Sequence, residues 1–319
     1  MRAIIFAMIL VTGGTGFIGR ALIRHLVEAG YQVRTLIRPS QSSPRLPRGV
    51  PVEVAVAALN DERSLRAALV GVDTIYHLAG VERSGVEADL LEVDVRGTQS
   101  VLNAARDAGI DRFFYLSHIG AERASAYPIF KAKAIAEEYI RRSGLDATIL
   151  RSAIVYGRND GFTTGMAQLL YGLPFVFLLS GDGSNLMQPL WVEDLVTCMA
   201  WALEDSATRN QTYDLGGPEF LSMREVVITI MAQLGVRRSL IPISPPYMRA
   251  LTVVLEYMLP NSLVSVYWLD YLAYNRTCSL DTIPRVFNLM PSRLSHRLDY
   301  LNEQDWRREL FRSAFRRKR

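Results

Sequence analysis

The residues of this chain that most clearly imply chemistry are the glycines of the segment Thr12-Gly13-Gly14-Thr15-Gly16-Phe17-Ile18-Gly19. An apolar run precedes this segment and an amphipathic one follows it, which predicts a turn from a strand into a helix. Gly13 permits a sharp turn, Gly16 lets backbone approach a phosphate, and Gly19 lets the helix pack closely on a sheet. The amides and the dipole at the start of such a helix attract anions. We therefore expect a dinucleotide pyrophosphate to bind at Gly13, Thr15, Gly16, Phe17, Ile18 and Gly19.

Short β-rich runs alternate with amphipathic windows through the first half of the chain, which predicts an α/β, Rossmann-type, doubly wound parallel sheet. Strands are predicted near residues 8–12, 32–37, 52–56, 74–78, 112–117 and 147–151. Helices are predicted near residues 17–29, 61–70, 87–108 and 128–143. We expect a dinucleotide-binding domain over 1–157, completed by 191–217, and a smaller, mostly helical substrate or docking lobe over 158–319.

Composition is that of a soluble globular protein, with 49% apolar and 21% charged residues. The net charge of +4 is concentrated in the last thirteen residues, where seven basic side chains from Arg307 onward accompany the single Glu309. Without aromatics interleaved along a basic face, this pattern argues against nucleic-acid binding. It predicts a solvated helix end, or a peripheral contact with an anionic membrane or an acidic partner.

Neither cysteine-based chemistry nor a membrane span is expected. Cys198 and Cys278 have no paired spacing and no nearby histidine cluster, which predicts free thiols in a reducing cytoplasm and no metal site. Residues 1–10 read as the first strand rather than as a signal peptide, and the true start is Met1 or Met8. The apolar stretch 166–179 is too short to span a bilayer. We expect a cytoplasmic protein, or one peripheral to the inner face of the membrane.

Several motifs together resemble the short-chain dehydrogenase/reductase superfamily in its extended or atypical branch, which contains NAD-dependent epimerases and dehydratases. The resemblance spans most of the chain, and the run from Ser117 to Glu137 is most similar to the group related to the NADPH-carrying accessory subunit of respiratory complex I. It implies that Leu78, Ala79 and Gly80 form part of the cofactor site. The motifs are TGxxGxxG at 12–19, His77-Leu78-Ala79-Gly80, Tyr127 to Lys131 in the YxxxK pattern, and Trp191-Val192-Glu193-Asp194.

The residue at the end of the second predicted strand indicates which of the two nicotinamide cofactors binds. NAD-binding units of this type carry an acid at its end, whereas this chain has Arg38, which can pair with a 2′-phosphate. We therefore expect NADP(H) rather than NAD(H). Arg20 either adds to the same pocket or faces solvent. Asn60 and Asp61 are expected beside the adenine, with Asp61 equally able to cap a helix.

The resemblance implies catalysis by Tyr127 as general acid or base, assisted by Lys131 and by a serine that polarises the substrate carbonyl. Tyr127 and Lys131 lie four residues apart, so on a helix they share one side, and a nearby ammonium is what lowers the pKa of a phenol. Ser117 is the expected serine and Ser125 its rival. Two departures weaken the pattern: Asp94 stands where the family has asparagine, and Pro128 disfavours helical geometry at Tyr127.

Three functions compete on these residues. The first is an NADP(H)-dependent oxidoreductase acting on a small carbonyl or alcohol substrate, which the apolar segment 247–268 suggests is lipid-like or aromatic. The second is an NADPH-bound structural or assembly protein of a membrane complex. The third is a nucleotide-sugar epimerase or dehydratase, for which we would expect more Arg and Lys in the lobe to bind the diphosphate of the substrate.

Overall fold

The computed structural model describes residues 7–40, 45–81, 89–258 and 264–309. Within them the chain forms two compact units. The first, here called the sheet unit, contains the described residues up to Val81, Asp89–Ser152 and Val192–Leu215. The second unit contains residues 153–191 and the described residues from 216 onward. The start of the chain before residue 7 and the basic tail from residue 310 lie outside the described residues.

The strands follow the alternation expected from the sequence in the first half of the chain, and several of those beyond it have only two residues. In chain order they are β1 (Met8–Thr12), β2 (Gln32–Ile37), β3 (Glu53–Val56), β4 (Thr74–His77), β5 (Arg112–His118), β6 (Asp146–Ser152), β7 (Val155–Tyr156), β8 (Val176–Ser180), β9 (Leu186–Met187), β10 (Leu190–Trp191), β11 (Thr212–Leu215), β12 (Leu221–Ser222) and β13 (Ser239–Ile243).

The α-helices of the described residues are, in chain order, α1 (Phe17–Glu28), α2 (Glu62–Ala68), α3 (Gly97–Asp107), α4 (Pro128–Arg142), α5 (Thr163–Gly172), α6 (Val192–Glu204), α7 (Met223–Leu234), α8 (Pro245–Met258), α9 (Val266–Tyr271) and α10 (Thr282–Phe287).

Seven strands of the sheet unit form one sheet in the order β11-β6-β5-β4-β1-β2-β3, and every pair in it is parallel. All residues of β4 and β5 are buried, as expected for a parallel sheet covered on both faces. The chain winds outward in both directions from the β1–β4 pair, so the carboxyl ends of these strands form the switch point where such folds bind ligands. The predicted Rossmann-type fold is confirmed.

The predicted helix over 87–108 differs from the structure at its start. Leu91–Arg96 forms a π-helical segment, and the regular helix α3 begins only at Gly97. The wider turn carries Asp94 and Val95 into the interior. Periodicity could not reveal this change because a π-helical turn alters the spacing of the buried positions, and such turns often accompany functional sites.

The second unit contains helices α5 and α7 to α10 together with three two-stranded sheets, formed by β7 with β10, β9 with β12, and β8 with β13. Helix α7 begins with a capping box in which Ser222 and Glu225 satisfy each other's backbone amides. Helix α8 exposes large apolar side chains at both ends, since Tyr247 is 75% exposed and Tyr257 is 92% exposed. This helix therefore has an apolar face that no described part of the chain covers.

Candidate cofactor site

The glycine loop between β1 and α1 is built by close backbone contacts. Gly13 has φ of 72°, a conformation that favours glycine, and a Cβ there would lie 2.7 Å from the carbonyl carbon of Leu78. A Cβ on Gly19 would lie 2.3 Å from the carbonyl oxygen of Gly13. The sequence did not single out Gly14, where a Cβ would lie 2.1 Å from the hydroxyl oxygen of Thr35. These glycines hold the loop close to β2 and β4.

Gly16 differs from its neighbours because the space around it is open. It is exposed, and a Cβ there would meet only the carbonyl oxygen of Gly13, at 3.1 Å. Gly16 is also the N-cap of α1, with no side chain capping the helix and no acidic residue in the first turn. The amides of Phe17 and Ile18 are thus available to an anion, with the helix dipole behind them. This open cradle fits the pyrophosphate of a dinucleotide.

Two other side chains fasten this loop. Arg20 is half-buried, and its guanidinium donates to the carbonyl oxygen of Thr15 at 2.7 Å. Thr12 accepts hydrogen bonds at its hydroxyl from the amides of Leu78 and Ala79, each at 3.2 Å. Leu78 and Ala79 are half-buried, and Gly80 is exposed. The ends of β1 and β4 are therefore tied together on either side of the switch point.

A buried histidine extends this network into the sheet. Nδ1 of His77 lies 2.8 Å from the hydroxyl oxygen of Thr12, and Nε2 lies 3.0 Å from that of Thr98. Thr98 in turn donates to the carbonyl oxygen of Asp94 at 2.6 Å. Burial, with a smaller contribution from the charge of Lys133, lowers the pKa of His77 to about 3. The ring is neutral at physiological pH and links β1 to the first turn of α3.

The end of β2 presents Arg38, which is exposed and has no hydrogen-bond or ion-pair partner among the described residues. Its neighbour Arg34 is occupied, because it pairs with Glu53 at 2.8 Å and donates to two carbonyl oxygens. Arg38 is thus available to a phosphate. Asn60 is exposed, and Asp61 caps α2 by accepting from the amide of Ser64 at 3.2 Å. The binding roles of Asn60 and Asp61 remain predictions.

At the other end of the candidate site, the structure separates two lysines of α4. Lys131, the lysine expected from the YxxxK pattern, is exposed. Lys133 is buried, and its Nζ lies 2.9 Å from Oδ1 of buried Asp94. A methyl group on Gly80 would lie 3.2 Å from this Nζ and 2.9 Å from the same carboxylate oxygen. The structure therefore places Lys133, and not Lys131, against the loop that follows β4.

Asp94 also accepts a hydrogen bond at Oδ2 from the amide of Val81 at 3.0 Å, so one carboxylate oxygen binds the loop after β4 and the other binds Lys133 of α4. Asp94 was expected only as a departure from the family pattern, and Lys133 was not expected at the site. A signal for Lys133 existed, because Ile129, Lys133, Ala136 and Ile140 recur at helical spacing along the buried side of α4. A lysine inside an apolar stripe requires a buried partner.

Ser117 is fully buried and donates its hydroxyl to Oε1 of Glu137 at 2.6 Å. Arg151 binds both oxygens of the same carboxylate, at 2.9 and 2.6 Å, and Arg141 binds Oε2 at 2.7 Å. Burial raises the pKa of Glu137, but the hydrogen bonds from Arg151 and Ser117 outweigh it and leave the pKa below its ordinary value. The hydroxyl proton of Ser117 is therefore engaged by a carboxylate.

Tyr127 is not part of α4. It is the N-cap, half-buried and with extended backbone, and Pro128 occupies the first turn. The helix begins at Pro128, as predicted, and Tyr127 lies outside it, because proline favours extended backbone at the residue before it. Ser125, the rival serine, accepts a hydrogen bond from the amide of Tyr127 at 3.2 Å. Ser117, Tyr127 and Lys131 thus occupy a buried cluster, a helix cap and an exposed helix face.

Comparison with known proteins identifies the class that the fold and loop define. The model of the NAD dependent epimerase/dehydratase family matches residues 9–216, and the chain belongs to this family. The expected resemblance to the extended and atypical short-chain dehydrogenases/reductases is thereby confirmed. The chain is therefore a member of an NAD(P)-binding family, whose usual activities are oxidoreduction and epimerisation.

Individual relatives are diverse. The chain is 29% identical to NADH dehydrogenase [ubiquinone] 1 alpha subcomplex subunit 9, mitochondrial, of Arabidopsis thaliana over 68% of its own length and 55% of the relative. It is 31% identical to a ceramide reductase of Caulobacter vibrioides over 54% of each protein. The chain spans about half the length of these curated relatives.

A solved UDP-glucose 4-epimerase of Thermotoga maritima has the same fold. The TM-score is 0.72 at 20% identity, with 95% of this chain and 99% of that one covered. Among the described residues, no helix combines the length and apolarity needed to cross a membrane. The same part of the chain holds no group of three or more metal-ligating His, Cys, Asp or Glu side chains.

Proposed function

We propose that this protein is an NADP(H)-dependent oxidoreductase acting on a small, apolar carbonyl or alcohol substrate. The observation that carries the proposal is the open cradle at Gly16, flanked at the end of β2 by the available cation Arg38. An arginine there favours the 2′-phosphate of NADP(H), where an acid would repel it. The cofactor would supply hydride, and the protein would supply binding and a proton donor, for which Tyr127 is the candidate.

The test measures NADPH oxidation with a panel of aldehydes and ketones, including long-chain ones. Tyr127→Phe is expected to lower turnover by roughly a hundredfold while leaving the Kd for NADPH nearly unchanged, because it removes a proton donor and keeps the ring. Tyr139→Phe, at an exposed position on α4, is the matched control. Full activity in the Tyr127→Phe variant would exclude that proton-transfer role.

A second candidate is an NADPH-bound structural component that docks on an anionic membrane surface. It is favoured by the engaged hydroxyl of Ser117 and by the apolar face of α8, where Tyr247, Leu251, Val254 and Met258 recur at helical spacing. Met248 and Thr252 lie on the buried side of α8. The exposed apolar face is therefore a second side of the same helix. A helix that is apolar on both sides needs a second apolar environment, and basic residues after Arg307 would be attracted to anionic lipid.

Flotation with vesicles tests this second candidate. The full chain is expected to float with vesicles of phosphatidylcholine and phosphatidylserine, and less so at high salt, because the basic tail is attracted electrostatically. Truncation after residue 306 should weaken flotation at low salt, and Tyr257→Asp should weaken it at any salt. Absence of flotation of the full chain would contradict membrane docking, and equal flotation of all three proteins would exclude the roles given to the tail and to α8. A concentration-dependent dimer sensitive to Tyr257→Asp would assign the face to a second copy.

A further inference from the structure

We infer that residues 172–175, which connect α5 to β8, enter the headgroup layer of an anionic lipid bilayer while Arg237 contacts the lipid phosphates. These four residues, Gly172-Leu173-Pro174-Phe175, are here called the apolar tip. The inference rests on the second candidate function, membrane docking, and adds to it a surface separate from α8 and from the basic tail. The apolar tip and Arg237 both belong to the second unit, whereas the cofactor cradle belongs to the sheet unit.

The apolar tip is exposed along its whole length. All four of its residues are exposed, and Phe175 is 81% exposed. An aromatic ring in this position costs free energy, because its large apolar area stays in water. The same ring is stabilised where headgroups meet acyl chains, which is the depth reached by the apolar side of surface-bound proteins. The exposure of Phe175 therefore favours an apolar partner for the tip.

Hydrogen bonds hold the apolar tip in this exposed position. Nε of Arg238 donates to the carbonyl oxygens of Leu170 and Leu173, at 2.9 and 3.0 Å. The amide of Ser239 donates to the carbonyl oxygen of Phe175 at 3.0 Å. The backbone is thus fixed on both sides of the ring. A surface that is ordered before it docks loses less conformational entropy on docking than a mobile one does.

The elements around the apolar tip contain no acidic residue. Residues 161–181, which include α5 and β8, have no charged side chain, and residues 226–244, which include β13 and most of α7, have only Arg237 and Arg238. Helix α5 contacts α7, and β8 pairs with β13, so these elements are neighbours in the second unit. A surface that is apolar and carries only positive charge is complementary to a bilayer containing anionic lipid.

Arg237 supplies a cation beside the apolar tip. It is exposed, and its side chain has no hydrogen-bond or ion-pair partner in the part of the chain that the structure describes. Its carbonyl oxygen accepts from Nη1 of Arg238 at 2.8 Å, so its backbone is held by the arginine that binds the tip. A phosphate is a strong partner for such a guanidinium. Two symmetric copies of this chain would instead bring like charges together here, which favours lipid over a second copy.

Flotation of full-length variants with vesicles of phosphatidylcholine and phosphatidylserine tests the inference. Phe175→Asp is expected to lower the partition coefficient by about tenfold or more, because it replaces an inserted ring with a charge that anionic lipid repels. Arg237→Gln should lower it by about fivefold at low salt and have little effect at high salt, since it removes one screened attraction. Val70→Asp, which alters a 70% exposed valine of the sheet unit, is the control and should float like the wild type.

Phe175→Trp reports insertion directly. On binding to vesicles, the added indole should shift its fluorescence to the blue and be quenched by brominated lipid, whereas the indole of Val70→Trp should do neither. An indole at position 175 that stays in water while the protein floats would overturn the inference. This measurement does not depend on whether Phe175→Asp folds, which its melting temperature checks separately.

The remaining outcomes separate this inference from the function on which it rests. Undiminished flotation of Phe175→Asp and Arg237→Gln, with a wild type that floats, would overturn the inference and leave membrane docking in place. A concentration-dependent dimer that Phe175→Asp dissociates would assign the apolar tip to a second copy and overturn the inference as well. Failure of the wild-type protein to float would reject membrane docking itself.

Discussion

The two ends of the candidate cofactor site are built differently. At the phosphate end, around Gly16 and Arg38, the groups that would meet a ligand are available: amides at an uncapped helix start and an exposed guanidinium. At the opposite end, Ser117 and Lys133 are buried and already engaged by Glu137 and Asp94. The first end is ready to bind an anion, whereas at the second end the expected catalytic serine has a structural partner. Substitutions can therefore test the two ends separately.

The largest effect is expected from Gly16→Val. A branched side chain would fill the space that the pyrophosphate needs, and binding of NADPH should fall by at least about a hundredfold, roughly the contribution of several amide–phosphate hydrogen bonds. The fold should persist because, among the described residues, only the carbonyl oxygen of Gly13 lies close to the new Cβ. Calorimetric titration measures the loss, and circular dichroism checks the fold.

Gly165→Val is the control for this change, since nothing lies within 4 Å of a Cβ at that position on α5. It should leave NADPH affinity unaltered. Unchanged affinity in a folded Gly16→Val protein would mean that the phosphate end has been misidentified.

Arg38→Asp should have the next largest effect, confined to the choice between cofactors. Replacing a phosphate partner with a repelling charge is expected to shift the ratio of NADPH to NADH affinities by roughly tenfold to a hundredfold. The measurement is a pair of titrations. Arg106→Asp is the charge-matched control. Arg106 lies in the last turn of α3, which leads to the amino end of β5, whereas Arg38 follows the carboxyl end of β2. Equal affinity for both cofactors in the wild-type protein would contradict the role of Arg38.

Ser117→Ala tests whether the hydrogen bond from Ser117 to Glu137, at the end of the site opposite the phosphate end, contributes to stability. Removing a buried hydrogen bond to a carboxylate should lower the free energy of unfolding by about 1 to 3 kcal/mol. Chemical denaturation measures this loss, and Ser125→Ala, at a half-buried position, provides a comparison. A large loss of turnover with unchanged stability would restore Ser117 to the catalytic role expected from the family pattern.

The smallest effect concerns pH. Hydrogen bonds to Glu137 hold its pKa below the ordinary value despite burial, so the ionised form is favoured in the folded protein. A depressed pKa contributes stability that is present above the unfolded value and is lost as pH falls through the folded one. The melting temperature should therefore decline more steeply below about pH 4.5 in the wild type than in Glu137→Gln. Parallel declines in the two proteins would show that Glu137 has no such role.

These two ends also differ in how far the sequence could predict them. The phosphate end depends on backbone conformation, and glycines encode it directly, so the strand, turn and helix were predicted close to their observed bounds. The opposite end depends on which side of α4 each residue occupies. Pro128 makes Tyr127 a cap, and the π-helical turn carries Asp94 inward to meet Lys133. The effect of Pro128 is local and could be predicted from the sequence, whereas residue spacing does not reveal the π-helical turn or the contact between two elements that follows from it.

The buried pair of Asp94 and Lys133 has an evolutionary consequence. A change at either residue alone would strand a charge in the interior, at a cost of about 3 to 5 kcal/mol, which is a large part of the stability of an ordinary domain. The two positions should therefore vary together, and chains descended from a common ancestor with this one should keep both charges or replace both. A lineage that had lost only one would be expected to show a compensating change beside Gly80, an exposed residue whose added Cβ would meet both charges.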